Sequence, residues 1–191
     1  DDALVGDDNG DMSIDMGFKL KQLCVGNLVF LDTNGNGKLD GSEHGIAGVK
    51  VELFSVGSDP YVATTQRLSA VTDNNGEWSI CTGTSGSYFA FIPSSEFGKD
   101  KPLFGMISSA GVTNGGADNV GEKGLDQIYP AAMGIATELF TLDYGAAPIS
   151  TGVGAVETGF HSSSDDSADA NTNLTIAFGF TQGVGVGNLV F

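Results

Sequence analysis

Val25-Gly-Asn-Leu-Val-Phe-Leu-Asp-Thr-Asn-Gly-Asn-Gly-Lys-Leu-Asp-Gly-Ser-Glu43 joins a short apolar run to a loop of evenly spaced oxygen ligands. Asp32, Asn34, Asn36, Gly37 and Glu43 fit the pattern D-x-[DN]-x-[DN]-G-x5-E, a spacing that lets one short loop wrap a calcium ion. Calcium takes about six to eight hard oxygen ligands in a loose geometry, so alternate Asp32, Asn34 and Asn36 side chains can turn inward while Gly37 permits the sharp turn. Lys38 would offer its backbone carbonyl, Asp40 would bind directly or through a water, and Glu43 could close the shell with both carboxylate oxygens. The predicted metal ligands are therefore Asp32, Asn34, Asn36, Lys38, Asp40 and Glu43. A plain hairpin turn would account for Asn34-Gly35 and Asn36-Gly37, but it does not require Glu43 at the last ligand position.

The flanks of this loop argue against a calcium-sensing helix pair, which needs an amphipathic helix on each side. Asn27 to Leu31 is a short apolar run, and Val49, Val51 and Leu53 alternate with period two, so both flanks read as strands. The run from Val25 through Gly37, then Gly45-Ile-Ala-Gly-Val-Lys-Val-Glu-Leu53, then Thr72-Asp-Asn-Asn-Gly-Glu-Trp78, resembles the B domains of serine-aspartate-repeat surface adhesins. Leu174-Thr-Ile-Ala-Phe-Gly-Phe180 is similar to the closing strand of those domains. The resemblance implies an all-β, immunoglobulin-like sandwich of the collagen-adhesin B type with long loops, binding Ca2+, tandemly repeated, and used as a stalk on secreted or cell-surface proteins. Phe30 stands where the family usually carries Trp or Tyr. Some related domains form an internal Lys-Asn crosslink, but Leu28 to Leu31 contains no lysine, so none is expected here.

Composition bounds the remaining choices. The chain has 24 acidic and 8 basic residues, and its formal net charge of −16 excludes a nucleic-acid backbone as a natural partner. Its 29 glycines have no collagen period and fall between alternating runs, as in an all-β protein with many turns. No apolar run is long enough to span a membrane. No nucleophile elbow, P-loop or zinc-protease motif is present, and His44 and His161 stand alone, so neither catalysis nor a zinc site is expected.

The chain also repeats itself. Asp11-Met-Ser-Ile-Asp-Met-Gly-Phe18 aligns with Asn173-Leu-Thr-Ile-Ala-Phe-Gly-Phe180, and Gly26-Asn-Leu-Val-Phe30 with Gly187-Asn-Leu-Val-Phe191, at offsets of 162 and 161 residues. A period this long suits folded beads on a string and not a solenoid. The expected organisation is a closing strand of a preceding repeat plus linker over residues 1 to 24, a β-sandwich over 25 to 182, and the first strand of a following repeat over 183 to 191. The expected partners are neighbouring copies of the repeat, joined in tandem or as strand-exchanged subunits of a filament, together with a host or matrix ligand. The expected location is extracellular or on the cell surface.

Within the sandwich, strands are predicted at residues 61 to 72, 77 to 81, 87 to 92, 104 to 109 and 134 to 143, with another at 12 to 18. Trp78 reads as a core anchor. Asp118, Glu122 and Asp126, and separately Asp165, Asp166 and Asp169, read as solvated acidic loops with the spacing to line a further calcium, and Asp73 with Asn75 is a weaker candidate. Asn173-Leu-Thr175 is a formal glycosylation acceptor. Cys24, placed in the inter-repeat link, and Cys81 either form one disulfide or remain separate thiols.

Overall fold

The computed structural model describes residues 22–109, 122–127, 129–148 and 170–183. The expected strand at 12 to 18, the reprise at 183 to 191 apart from Gly183, Asp118, and the trio Asp165, Asp166 and Asp169 lie outside the described residues. Two sheets face each other in an all-β sandwich. One has the order β4-β1-β10-β6, with β9 also on β1. The other has the order β3-β2-β5-β7, with β8 also on β5. The strands are β1 (Leu23–Leu31), β2 (Lys50–Ser55), β3 (Leu68–Val71), β4 (Glu77–Thr82), β5 (Gly86–Ile92), β6 (Met106–Ser108), β7 (Ile135–Ala136), β8 (Phe140–Leu142), β9 (Thr172–Asn173) and β10 (Phe178–Gln182). Among the described residues no helix is long and apolar enough to cross a membrane.

Strand β1 is apolar nearly throughout because it is covered on both faces. Leu23, Val25 and Val29 point into the main core with Val49, Val51, Leu53, Trp78, Ile80 and Phe178. Leu28 and Phe30, on the opposite face, join Ala177 and Leu39 in a small second core beneath the loop that follows β1. The strand is central as well as covered: it pairs antiparallel with β4 and parallel with β10, with Val29 opposite Phe178 and Leu31 opposite Phe180. Gly26 is fixed by this crowding, since a Cβ there would collide with the carbonyl oxygen of Trp78 on β4.

The strand starts at Leu23, before the apolar run expected at Asn27 to Leu31 and two residues before the expected start of the sandwich at 25, and this moves Cys24 out of any linker. Cys24 lies within β1 directly opposite Cys81 on β4, and the two form a disulfide. Trp78 is buried as expected. The edge strand expected over residues 61 to 72 is short, covering only Leu68–Val71. Local bonds turn the preceding residues instead: Asp59 accepts from the Tyr61 amide, and the Arg67 guanidinium holds the Ala63 carbonyl and the buried Glu52 carboxylate. The strand expected at 134 to 143 is broken into β7 and β8, because at Thr137 the side-chain Oγ1 accepts from Ala90 N where a regular ladder would use a carbonyl. A single helical turn, Pro130–Met133, precedes it.

Gly26→Ala is expected to destabilise the protein by about 3 kcal/mol, because the clash is with backbone that cannot move aside without disturbing β1 and β4. Denaturant unfolding of the variant beside the native chain checks this; a loss within error of zero would show that the strand pair can spread to admit a methyl group.

Candidate metal centre

The loop that leaves β1 is closed at its base by the sheet. Leu31 N donates to His44 O, Phe30 bridges Gly45, and Ile46 N donates to Val29 O, so the chain returns beside the strand it left. Asp32 is fully buried at the end of that strand. Its Oδ1 accepts from Gly35 N at 2.7 Å and Asn36 N at 3.2 Å, and its Oδ2 accepts from Gly37 N at 2.7 Å. Gly35 and Gly37 have φ of 71° and 74°, the left-handed region the tight wrap demands, so glycine is the fitting residue at both positions.

The other predicted ligands gather on the same loop. Glu43 reaches back across it, with Oε1 accepting from Thr33 N at 2.7 Å and Thr33 Oγ1 at 3.1 Å, and Oε2 accepting from Asp40 N at 3.1 Å. Asn34 and Asn36 donate through their side-chain amides to the Asp40 carboxylate, at 3.1 Å and 2.7 Å. Lys38 N donates to Asn36 Oδ1 at 2.8 Å. All six predicted positions therefore lie on one closed loop, and the five side chains among them are bonded to one another or to the loop's own amides. The donor set is wholly oxygen: three carboxylates, two side-chain amides and one backbone carbonyl. That chemistry suits a hard cation such as calcium and is wrong for zinc or copper. Among the described residues no three His, Cys, Asp or Glu side chains are grouped closely enough to hold a metal by themselves. In the loop, two amide N–H donors face Asp40 and backbone amides saturate Asp32.

A residue that sequence reasoning set among solvated acids supports this loop from behind. Glu122 N donates to Gly37 O at 2.9 Å, Lys123 N to Ala177 O at 2.8 Å, and Leu125 N to Ala136 O at 2.7 Å. The segment thus straps the loop of residues 32–43 to Ala177, just before β10 in one sheet, and to β7 in the other. The Glu122 side chain is buried, not solvated: Oε2 accepts from Gly124 N at 2.8 Å and Gly179 N at 3.4 Å, with Ser108 Oγ at 3.5 Å from Oε1. Its pKa is pushed up to about 8, first by burial, against the two amide hydrogen bonds, with the charge of Asp126 adding to the rise. The glycine-rich context of Glu122 resembles a surface loop, and nothing local signals its burial. The other two minor candidates are also explained by structure. Asp73 caps a hairpin turn by accepting from Asn75 N and Glu77 N, and Asn173 is buried with its Oδ1 accepting from Thr175, closed to a glycosylating enzyme.

The family model of the SdrD B-like domain matches residues 23–100, from the first residue of β1 through the metal loop and β5 to just beyond the turn at Ser94–Phe97. This stretch is an SdrD B-like domain. Strands β6 to β10, which follow the matched stretch, complete both sheets of the sandwich. The chain is 32% identical over 120 residues to a fibrinogen-binding protein of Staphylococcus epidermidis, an alignment covering 62% of this chain and 10% of that protein. It is 37% identical over 82 residues to serine-aspartate repeat-containing protein C of Staphylococcus aureus strains MRSA252 and Newman, covering 42% of this chain and 8% of each relative. The chain thus spans about a tenth or less of the length of these relatives.

Because burial raises the pKa of Glu122 in the fold from 4.5 to about 8, it carries no ionisation penalty below its ordinary value of 4.5. Stability is lost as pH rises from there through about 8. Glu122→Gln keeps the shape and removes the titration, so the variant should gain on the native chain by roughly 1 kcal/mol per pH unit across that window. Denaturant melts at pH 5 and pH 7.5 read the difference; a gap that stays constant would mean that Glu122 does not titrate in the fold.

Proposed function

We propose that this chain is a calcium-stabilised structural repeat of an extracellular or cell-surface stalk or fibre. The observation that supports the reading most is the closed oxygen-ligand loop at the end of β1, the strand around which its sheet is built. An ion held by Asp32, Asn34, Asn36, Lys38, Asp40 and Glu43 would supply positive charge to three carboxylates and fix a loop that otherwise costs entropy to order. The buried Asp32 and the returning Glu43 would hold the two ends of the loop at fixed separation, and the Glu122 strap would carry that rigidity into both sheets. The Cys24–Cys81 disulfide fits an oxidising, extracellular setting. The duplicated strand sequences at residues 11 to 18 and 187 to 191 support neighbouring copies of the same repeat as its partners. Covalent tandem is favoured over a strand-exchanged filament, because in this sandwich the β1 position is already filled by the chain's own Leu23–Leu31.

A second reading, a ligand-binding adhesion module, is favoured by one surface feature. Tyr61 and Tyr129 are 60% and 70% exposed, and the Tyr61 hydroxyl donates to Met133 O on the turn that Tyr129 opens. One relative is a fibrinogen-binding protein, so fibrinogen is the first ligand to try.

The stalk reading is tested by melting the chain in excess calcium and in chelator, alongside an Asp32→Ala/Glu43→Ala variant. Calcium is expected to raise the melting temperature of the native chain and leave the variant unmoved. Three coincident curves would reduce the loop to a turn and remove calcium from the proposal.

A further inference from the structure

We propose that the Cys24–Cys81 disulfide takes residues 25 to 80, the whole metal loop among them, out of the load path when the chain is pulled from its two ends. The inference rests on the stalk reading only for its purpose; its geometry stands on the fold. Strands β1 and β10 are parallel neighbours, with Leu31 opposite Phe180, so Leu23 and Gln182 lie at opposite ends of the pair. At about 3.3 Å per residue the two points lie on the order of 30 Å apart along the strand direction. The pull is therefore directed parallel to these strands, not across them.

The first described strand residue is Leu23, and the disulfide follows it at once. Cys24 faces Cys81 directly across the antiparallel β1–β4 pair, and the bond joins residues separated by 57 positions. A load arriving at Leu23 crosses from Cys24 to Cys81 after one residue and continues through Thr82 toward β10. Without the bond the same load would pass down β1 to Leu31 and straight into Asp32. All the predicted ligands lie on one continuous stretch from Asp32 to Glu43, so a pull on it would draw its first carboxylate away from its last. With the bond intact that stretch lies inside a closed covalent ring and cannot be extended. In the reprise at the C-terminal end of the sequence, Gly185 stands where Cys24 would be, so the lock belongs to this repeat and not to the neighbouring strand sequence.

The test tethers the full 191-residue chain by its ends and pulls single molecules, with Cys24→Ser/Cys81→Ser as comparison. The native chain should gain about 200 Å less contour length on unfolding than the variant, from 57 residues at roughly 3.6 Å each. Should the variant fail to fold, dithiothreitol added to a native chain held extended opens the Sγ–Sγ bond to two thiols, with the reductant oxidised in turn, and the tether should lengthen by the same 200 Å or so. Equal contour lengths or no lengthening under reductant would each overturn the proposal. None of these outcomes depends on whether calcium raises the melting temperature, so failure here and failure of the stalk reading are told apart.

Discussion

A carboxylate buried at the end of a central strand has to be neutralised or surrounded by donors, and Asp32 is such a group. Its backbone N–H continues the sheet by bonding to Phe180 O, while its side chain gathers three amides from the next five residues. Hydrogen bonds to a charged acceptor are worth about 1.5–3 kcal/mol each, so few other loop conformations compete with the one that brings those amides together. The bend this imposes needs positive φ at Gly35 and Gly37, and it carries the chain round to Glu43, which binds back to Thr33. The register of β1, the path of the loop and the return of the chain at His44 to Ile46 are in this sense consequences of where one carboxylate sits.

The surrounding sandwich keeps that carboxylate in place by burying both faces of β1. One face enters the main core, and the other, through Leu28 and Phe30, packs beneath Leu39 of the loop itself. The loop is thus part of a core and not an appendage to it. Three further contacts fix the arrangement from different directions: the parallel pairing with β10, the disulfide to β4, and the strap whose Glu122 amide meets Gly37. Burying Glu122 makes this strap the least comfortable of the three. Burial raises its pKa to about 8, and that shift is the cost of anchoring the segment among Gly124, Gly179 and Ser108.

The parts legible in the sequence are those set by neighbours a few residues apart. Alternate oxygen-bearing side chains with a glycine between them specify a wrapped loop, period-two apolar residues specify the inward face of Val49, Val51 and Leu53, and Asp73-Asn-Asn-Gly76 specifies a hairpin turn. Each is a local stereochemical preference that survives in the fold. The readings that moved were those that treated a polar or regular stretch as if nothing beyond it mattered. Residues 61 to 67 have strand-forming side chains yet turn, because Asp59 and Arg67 offer their backbone closer partners than a neighbouring strand. The segment around Glu122 has the composition of a surface loop yet lies inside, because two sheets and the metal loop all claim its backbone.

The sequence by itself determined the all-β class, the wrapped loop from Asp32 to Glu43 and the strand that leads into it, since spacing along the chain is enough to fix which side chains share a face or a turn. Only the tertiary structure decided that Cys24 belongs to β1 and bonds to Cys81, that the first strand lies parallel to the last, and that Glu122 is buried. Those outcomes join residues tens to more than a hundred positions apart, and no local spacing encodes such a meeting. It is settled by which packing buries the most apolar surface while leaving each backbone amide and carbonyl a partner.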